Sequence, residues 1–204
     1  FWGFSPEKRG YDLTYGYDSE EYPYLDIPAD ASVREKVTMA EIYEKHVESM
    51  IRFLMEDEDF TAVAIAITDA TKSYDDGETA IVYMGHGTEA DSNQIYGKLQ
   101  ETLKKEGFEN YFIGTVEAEP TLEDVIKSME DKKAYKNVVL APLMVVCGDH
   151  ANNDMAGDEE DSWKTAFKGA GYEVTCLVRG LGEMEAIQQL FVEHAQAAVD
   201  SLSK

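Results

Sequence analysis

Val138-Val139-Leu140-Ala141-Pro142-Leu143-Met144-Val145-Val146, followed by Cys147 and then Gly148-Asp149-His150-Ala151-Asn152-Asn153-Asp154-Met155, decides the fold. An apolar run of this kind, closed by a glycine turn, reads as a strand buried on both faces, spanning Val138 to Val146. It delivers a histidine into a loop of carboxylates and amides. A second stretch repeats the arrangement, with Ala80-Ile81-Val82-Tyr83-Met84 running into Gly85-His86-Gly87-Thr88. In a parallel sheet, loops at the carboxyl ends of neighbouring strands converge on one crevice. The two imidazoles are therefore expected to share a site.

Working outward, strands and helices alternate. The spacing predicts a strand from Thr79 to Met84, a helix from about Ser92 to Glu106 and a strand from Tyr111 to Val116. A helix follows with Thr121 as its N-cap, and another runs from Asp158 to Ala170. A strand from Glu173 to Val178 and a C-terminal helix from about Met184 to Leu202 complete the series. Residues from Phe60 to about Ser73 are read as a helix, although Ala62-Val63-Ala64-Ile65-Ala66-Ile67 is also compatible with a buried strand. The fold class is α/β: a parallel four-stranded sheet with helices on both faces, in Rossmann-type layering. Residues 1–56 differ. Phe1, Trp2, Phe4, Tyr11, Tyr15, Tyr17, Tyr22 and Tyr24 follow neither helical nor strand period, so the start reads as an irregular aromatic-rich arm. Thr38-Met39-Ala40-Glu41 then fits a capping box before an amphipathic helix. The expected organisation is an N-terminal arm and helix over 1–56 and an α/β domain over 57–204. Aromatics are costly to leave in water, so the arm should pack on its own domain or on a neighbouring subunit, and a homo-oligomer is expected.

With 204 residues, 44% of them hydrophobic, the chain has enough apolar material for a sizeable core. Its 18 basic and 41 acidic residues give a formal net charge of -23. Phosphate neutralisation needs a basic surface, so a nucleic-acid partner is excluded, whereas an acidic surface concentrates cations. No apolar run reaches the roughly 20 residues that span a bilayer. Cys147 and Cys176 have no zinc-motif spacing and are expected as buried free thiols, which fits a reducing compartment. The cytoplasm is the expected location, with an exported form as the alternative.

His86 stands between two glycines at a strand end, and His150 stands in an equivalent place with Asp149, Asn152, Asn153 and Asp154 available to orient it. Glu117 follows the strand ending at Val116. Two imidazoles and a carboxylate suit a divalent transition-metal site with open positions, and neutral imidazoles also accept protons near neutral pH. His46 and His194 fall within predicted helices and read as structural. Asp158-Glu159-Glu160-Asp161 reads as a charged helix start, with an auxiliary cation site as the alternative. Gly85-His86-Gly87-Thr88 opening a helix is compatible with an anion site but lacks the lysine and spacing of a P-loop.

Several motifs together resemble the anaerobic sirohydrochlorin cobaltochelatase family, a class II chelatase branch with a ferrochelatase-like fold. They are Met84-Gly85-His86-Gly87-Thr88-Glu89, Gly114-Thr115-Val116-Glu117 with Pro120-Thr121, Pro142-Leu143-Met144-Val145, the long segment from Gly148 to Lys164, and Gly180-Leu181-Gly182-Glu183. The resemblance covers about residues 57 to 202; residues 1–56 do not match the family's first half. It implies insertion of Co²⁺ into sirohydrochlorin, a tetrapyrrole, on the oxygen-independent route to cobalamin. It also implies His86 and His150 as metal ligands and proton acceptors, and Glu117 as third ligand or aid to proton removal. Fe²⁺, Ni²⁺ or Zn²⁺ are expected substitutes, and no organic cofactor is implied. The alternative is a non-catalytic metal- or tetrapyrrole-binding protein derived from a chelatase. Because the substrate carries many carboxylates, Arg179, Lys164 or helix-start N–H groups are expected to offset the acidity of the chain.

Overall fold

The computed structural model describes residues 59–130 and 135–202. The aromatic arm, the Thr38 capping box with its helix, and His46 lie outside the described residues.

Helix α1 (Asp59–Thr71) settles the ambiguity of the Ala-Val-Ile run. Its buried residues Phe60, Val63, Ala64, Ile67 and Thr71 recur at three- and four-residue steps, as one helical face requires. Strand β1 (Thr79–Gly85), α2 (Gln94–Lys105), β2 (Tyr111–Thr115), α3 (Leu122–Glu130), β3 (Asn137–Pro142), α4 (Trp163–Gly169), β4 (Glu173–Cys176) and α5 (Glu185–Leu202) follow. The sheet has the order β2-β1-β3-β4, and every pairing is parallel. Thr121 caps α3 as expected: its hydroxyl accepts from the Asp124 N–H at 3.3 Å, and Asp124 accepts from the Thr121 N–H at 2.9 Å. That reciprocal bond holds the Asp124 carboxyl below its usual range.

Strand alternation divides the core in two. Ile81, Tyr83, Tyr111, Ile113, Val139 and Ala141 pack with residues of α1, α2 and α5. Ala80, Val82, Met84, Phe112, Val138 and Leu140 pack with Val125 and Met129 of α3 and with Trp163 and Phe167 of α4. Helices thus cover both faces, as the sequence predicts. The chain steps from β1 to β2 in one direction with α2 on the first face. It then steps from β2 across β1 to β3, and on to β4, in the other direction with α3 and α4 on the second face. Reversing direction while changing face keeps one crossover hand throughout. The reversal leaves a switch point at the carboxyl ends of β1 and β3.

Tyr83 is fully buried and donates to the Ile67 carbonyl at 2.8 Å, fastening β1 to α1; burial raises its phenol well above the ordinary value. Among the described residues, the outer edge of β2 is met by one side chain. Gln100 donates to the Tyr111 carbonyl and accepts from the Ile113 N–H, both at 2.9 Å, so its amide stands in for a fifth strand.

Several boundaries differ from expectation. The third strand ends at Pro142 rather than Val146, because the chain turns after Leu143 and the carbonyls of Met144 and Val145 accept from the N–H groups of Leu181 and Gly182. The fourth ends at Cys176 rather than Val178. The fourth helix begins at Trp163, where the Ser162 hydroxyl accepts from the Thr165 N–H at 3.2 Å; the acidic run is a turn ahead of it rather than its first turn. The two thiols are free but half-buried rather than buried, and partial burial raises both pKa values.

Leu140 is fully buried on the β3 face that meets α3 and α4. Leu140→Ala should lower unfolding free energy by about 2–5 kcal/mol in chemical denaturation, the range for a core leucine that leaves a cavity.

Candidate metal centre

The loop after β1 carries His86. Gly87 follows with φ of +86°, and a Cβ there would lie 2.8 Å from the Ala118 nitrogen and 2.9 Å from the Thr115 side chain. Only glycine lets the β1 loop lie this close to the β2 loop. The strand pairing continues past the strand ends to join them: Val116 N–H donates to the Gly85 carbonyl at 3.0 Å and Glu117 N–H to the His86 carbonyl at 2.9 Å. His86 and Glu117, far apart in sequence, are therefore backbone partners.

A clamp that the sequence did not reveal reinforces the pair. Asn93, just before α2, accepts from the Thr88 N–H at 3.1 Å and donates to the Glu119 carbonyl at 2.6 Å, spanning both loops. Tyr96 accepts from the Gly87 N–H at 3.1 Å. The Gly87 and Thr88 N–H groups are thereby already satisfied and are not available to an anion.

His150 enters from β3 and opens a single wide helical turn, Ala151–Met155, of π type. Ala151 and Met155 are fully buried and anchor the turn to the core. The His86 and His150 rings have centroids 4.6 Å apart and stand nearly perpendicular, at 88°. His86 Nδ1 lies 3.6 Å from a Glu117 carboxylate oxygen. One ligand atom from each of His86, Glu117 and His150 falls within 4.8 Å of the others. Their side chains are 48%, 55% and 34% exposed, so an ion approaching from the loop side would reach all three. Two nitrogens and one oxygen fit a borderline divalent transition metal better than magnesium or calcium, which favour all-oxygen sets.

The other sequence-predicted groups fall elsewhere. His194 on α5 bonds Asp59 of α1 at 3.0 Å, a structural link between helices. Lys164 is engaged by Asp158 at 2.7 Å, which holds that carboxyl below its usual range. Arg179 donates to the Glu183 carbonyl at 2.7 Å. Each cation already has one partner and keeps further N–H donors.

Comparison with known proteins bears on this geometry. The family model described as cobalt chelatase (CbiK) matches residues 38–200. The chain belongs to that family. It is 40% identical over 120 residues to the sirohydrochlorin cobaltochelatase of Salmonella typhimurium, covering 59% of this chain and 45% of that protein. It is 32% identical over 125 residues to the sirohydrochlorin cobaltochelatase CbiKC of Nitratidesulfovibrio vulgaris, covering 61% of this chain and 44% of that one. The chain thus spans about half the length of the curated relatives it matches. The matched residues include the whole four-stranded parallel sheet and the loops that carry His86, Glu117 and His150.

Gly87→Ala tests whether loop contact sets the triad. It should lower Co²⁺ affinity by roughly tenfold, the equivalent of ~1.4 kcal/mol, as calorimetric titration would show. Unchanged affinity would mean that the triad does not depend on that close approach.

Proposed function

We propose that this domain inserts Co²⁺ into sirohydrochlorin, the reaction named for both relatives, and so serves cobalamin biosynthesis. The observation that carries the reading is the convergence of His86, Glu117 and His150 at the carboxyl edge of the sheet. Insertion requires a desolvated ion held close to the macrocycle and removal of two pyrrole protons. The triad answers both needs. Its three donors replace water around the ion while leaving positions open for macrocycle nitrogens. As the ion passes to the macrocycle, the ring nitrogen that each imidazole frees takes up one of the two protons released. Glu117 balances part of the metal's charge and serves as third ligand or aids proton removal.

The metal is substrate here, and Fe²⁺, Ni²⁺ or Zn²⁺ suit the same donor set as substitutes. The chemistry needs no organic cofactor. Among the described residues no helix is long and apolar enough to cross a membrane. The free thiols fit a reducing compartment, the cytoplasm in our reading. The half-exposed triad needs an opposing wall to hold a flat macrocycle against it, and a second copy of this chain could provide one.

The second reading, a carrier that binds metal or tetrapyrrole without turnover, differs in one measurable way. With sirohydrochlorin and Co²⁺ mixed under anoxic conditions, a catalyst accelerates the absorbance change above the protein-free rate over many turnovers. A carrier gives a stoichiometric shift that stops. We expect acceleration, abolished by His86→Ala and by His150→Ala; a stoichiometric shift alone would favour the carrier.

Acidification should also remove activity, because only a neutral imidazole binds metal or accepts a proton. Rates at about pH 5.5 should fall well below those at about pH 8. Equal rates at the two values would exclude histidine from either role.

A further inference from the structure

Four polar side chains surround His150 in the sequence, and any of them could in principle orient its ring. In the fold three have other partners. Asp149 accepts from the Asn153 side-chain amide at 2.7 Å, which occupies both. Asn152 turns back to the Gly148 carbonyl at 2.7 Å and the Cys147 carbonyl at 3.3 Å. Asp154 instead bonds Nδ1 of His150 through its Oδ2. We propose that Asp154 is the positioning residue of the metal centre: it fixes His150 as the Nδ1–H tautomer and so leaves Nε2 as the metal-binding nitrogen. The inference rests on the reading of His150 as a ligand.

The chemistry follows from what each group can do. An ionised carboxylate only accepts hydrogen bonds, so the imidazole nitrogen facing it must carry the hydrogen. The lone pair then sits on Nε2. A carboxylate behind a ligating imidazole also raises its donor strength and stops ring rotation. His86 receives the corresponding service from main chain, since its Nδ1 lies 2.9 Å from the Gly87 carbonyl, which likewise only accepts. The two histidines thus share one tautomeric logic with different acceptors. His150 lies at the mouth of an open loop, where no carbonyl is bonded to its Nδ1, and there the acceptor is a side chain.

The fold places Asp154 deliberately. Residues four apart on a helical turn share a face, which sets Asp154 beside His150. Met155, fully buried next to it, pins that side of the turn to the core. Gly157 closes the turn by donating to the Asn153 carbonyl at 3.0 Å, and a Cβ at Gly157 would sit 2.3 Å from that same oxygen. Asp154 itself is 43% exposed, so its replacement opens no cavity in the core.

The test compares Asp154→Ala, Asp154→Asn and Asp149→Ala in the full chain, without tetrapyrrole. Long-range ¹H–¹⁵N correlation on histidine-labelled protein reads the tautomer, and Co²⁺ titration reads affinity. Asp154→Ala should let His150 shift toward the Nε2–H form and weaken Co²⁺ by about 10- to 100-fold, the usual loss when an outer partner of a metal ligand is removed. Asp154→Asn keeps an acceptor and should restore part of both. Asp149→Ala, which alters the same loop, should change neither. A His150 that stays Nδ1–H with full affinity in Asp154→Ala would overturn the proposal, as would equal losses in Asp149→Ala. Failure of the chelatase reading looks different: the tautomer and affinity effects would be present while metal insertion into sirohydrochlorin remained at the protein-free rate.

Discussion

The parallel hydrogen-bond ladder of β1 with β2 and β3 is the constraint from which the rest of the site follows. β1 is buried along its whole length and flanked on both edges, so its register is fixed from both sides. All three strands end at one edge, and the ladder runs on past them through the Val116–Gly85 and Glu117–His86 backbone bonds. The candidate ligands His86 and Glu117 are thereby placed by main-chain geometry. The loops need supply only the last turn, and glycine at position 87 and the Asn93 clamp supply it.

Much of this was legible in the residues. Alternation of apolar runs with amphipathic stretches gave the α/β class, and the strand-terminal histidines do come together at one edge of the sheet. The adjacency of Glu117 to His86 was not legible, because it depends on β2 pairing beside β1, and strand order is a property of the whole sheet. The apolar run Leu143 to Val146 misled for a related reason. Its hydrophobicity serves a loop strapped to Gly180–Gly182, and period alone cannot separate such a loop from a strand. The start of α4 at Trp163 had a local signal, the Ser162 hydroxyl three residues before Thr165, which the louder acidic run obscured. Asn93 and Tyr96 carried no signal, since an amide and a phenol at a helix start have many ordinary uses. Asp154 stood among equivalents until the turn type separated them.

For a metal ion, the donor set and the electrostatics of the domain pull in one direction. A chain with net charge -23 attracts a divalent cation, and the triad offers it two neutral donors and one anionic one. Such a set can hold a metal without neutralising it, which suits the proposed transfer of the ion to a macrocycle. A closed four-ligand site would hold the ion too well. The same acidity disfavours a polycarboxylate substrate. Lys164 and Arg179 each have a partner but keep N–H donors that could meet the carboxylates of the proposed macrocycle.

The central claim is that one ion is held jointly by His86, Glu117 and His150. Cobalt-edge X-ray absorption on the Co²⁺-loaded chain, compared with the Glu117→Gln and His150→Ala variants, tests it most directly. The account predicts nitrogen and oxygen scatterers with imidazole ring signals from two histidines, one of which disappears in His150→Ala. A sulfur neighbour from Cys147, or a spectrum indifferent to both substitutions, would contradict it.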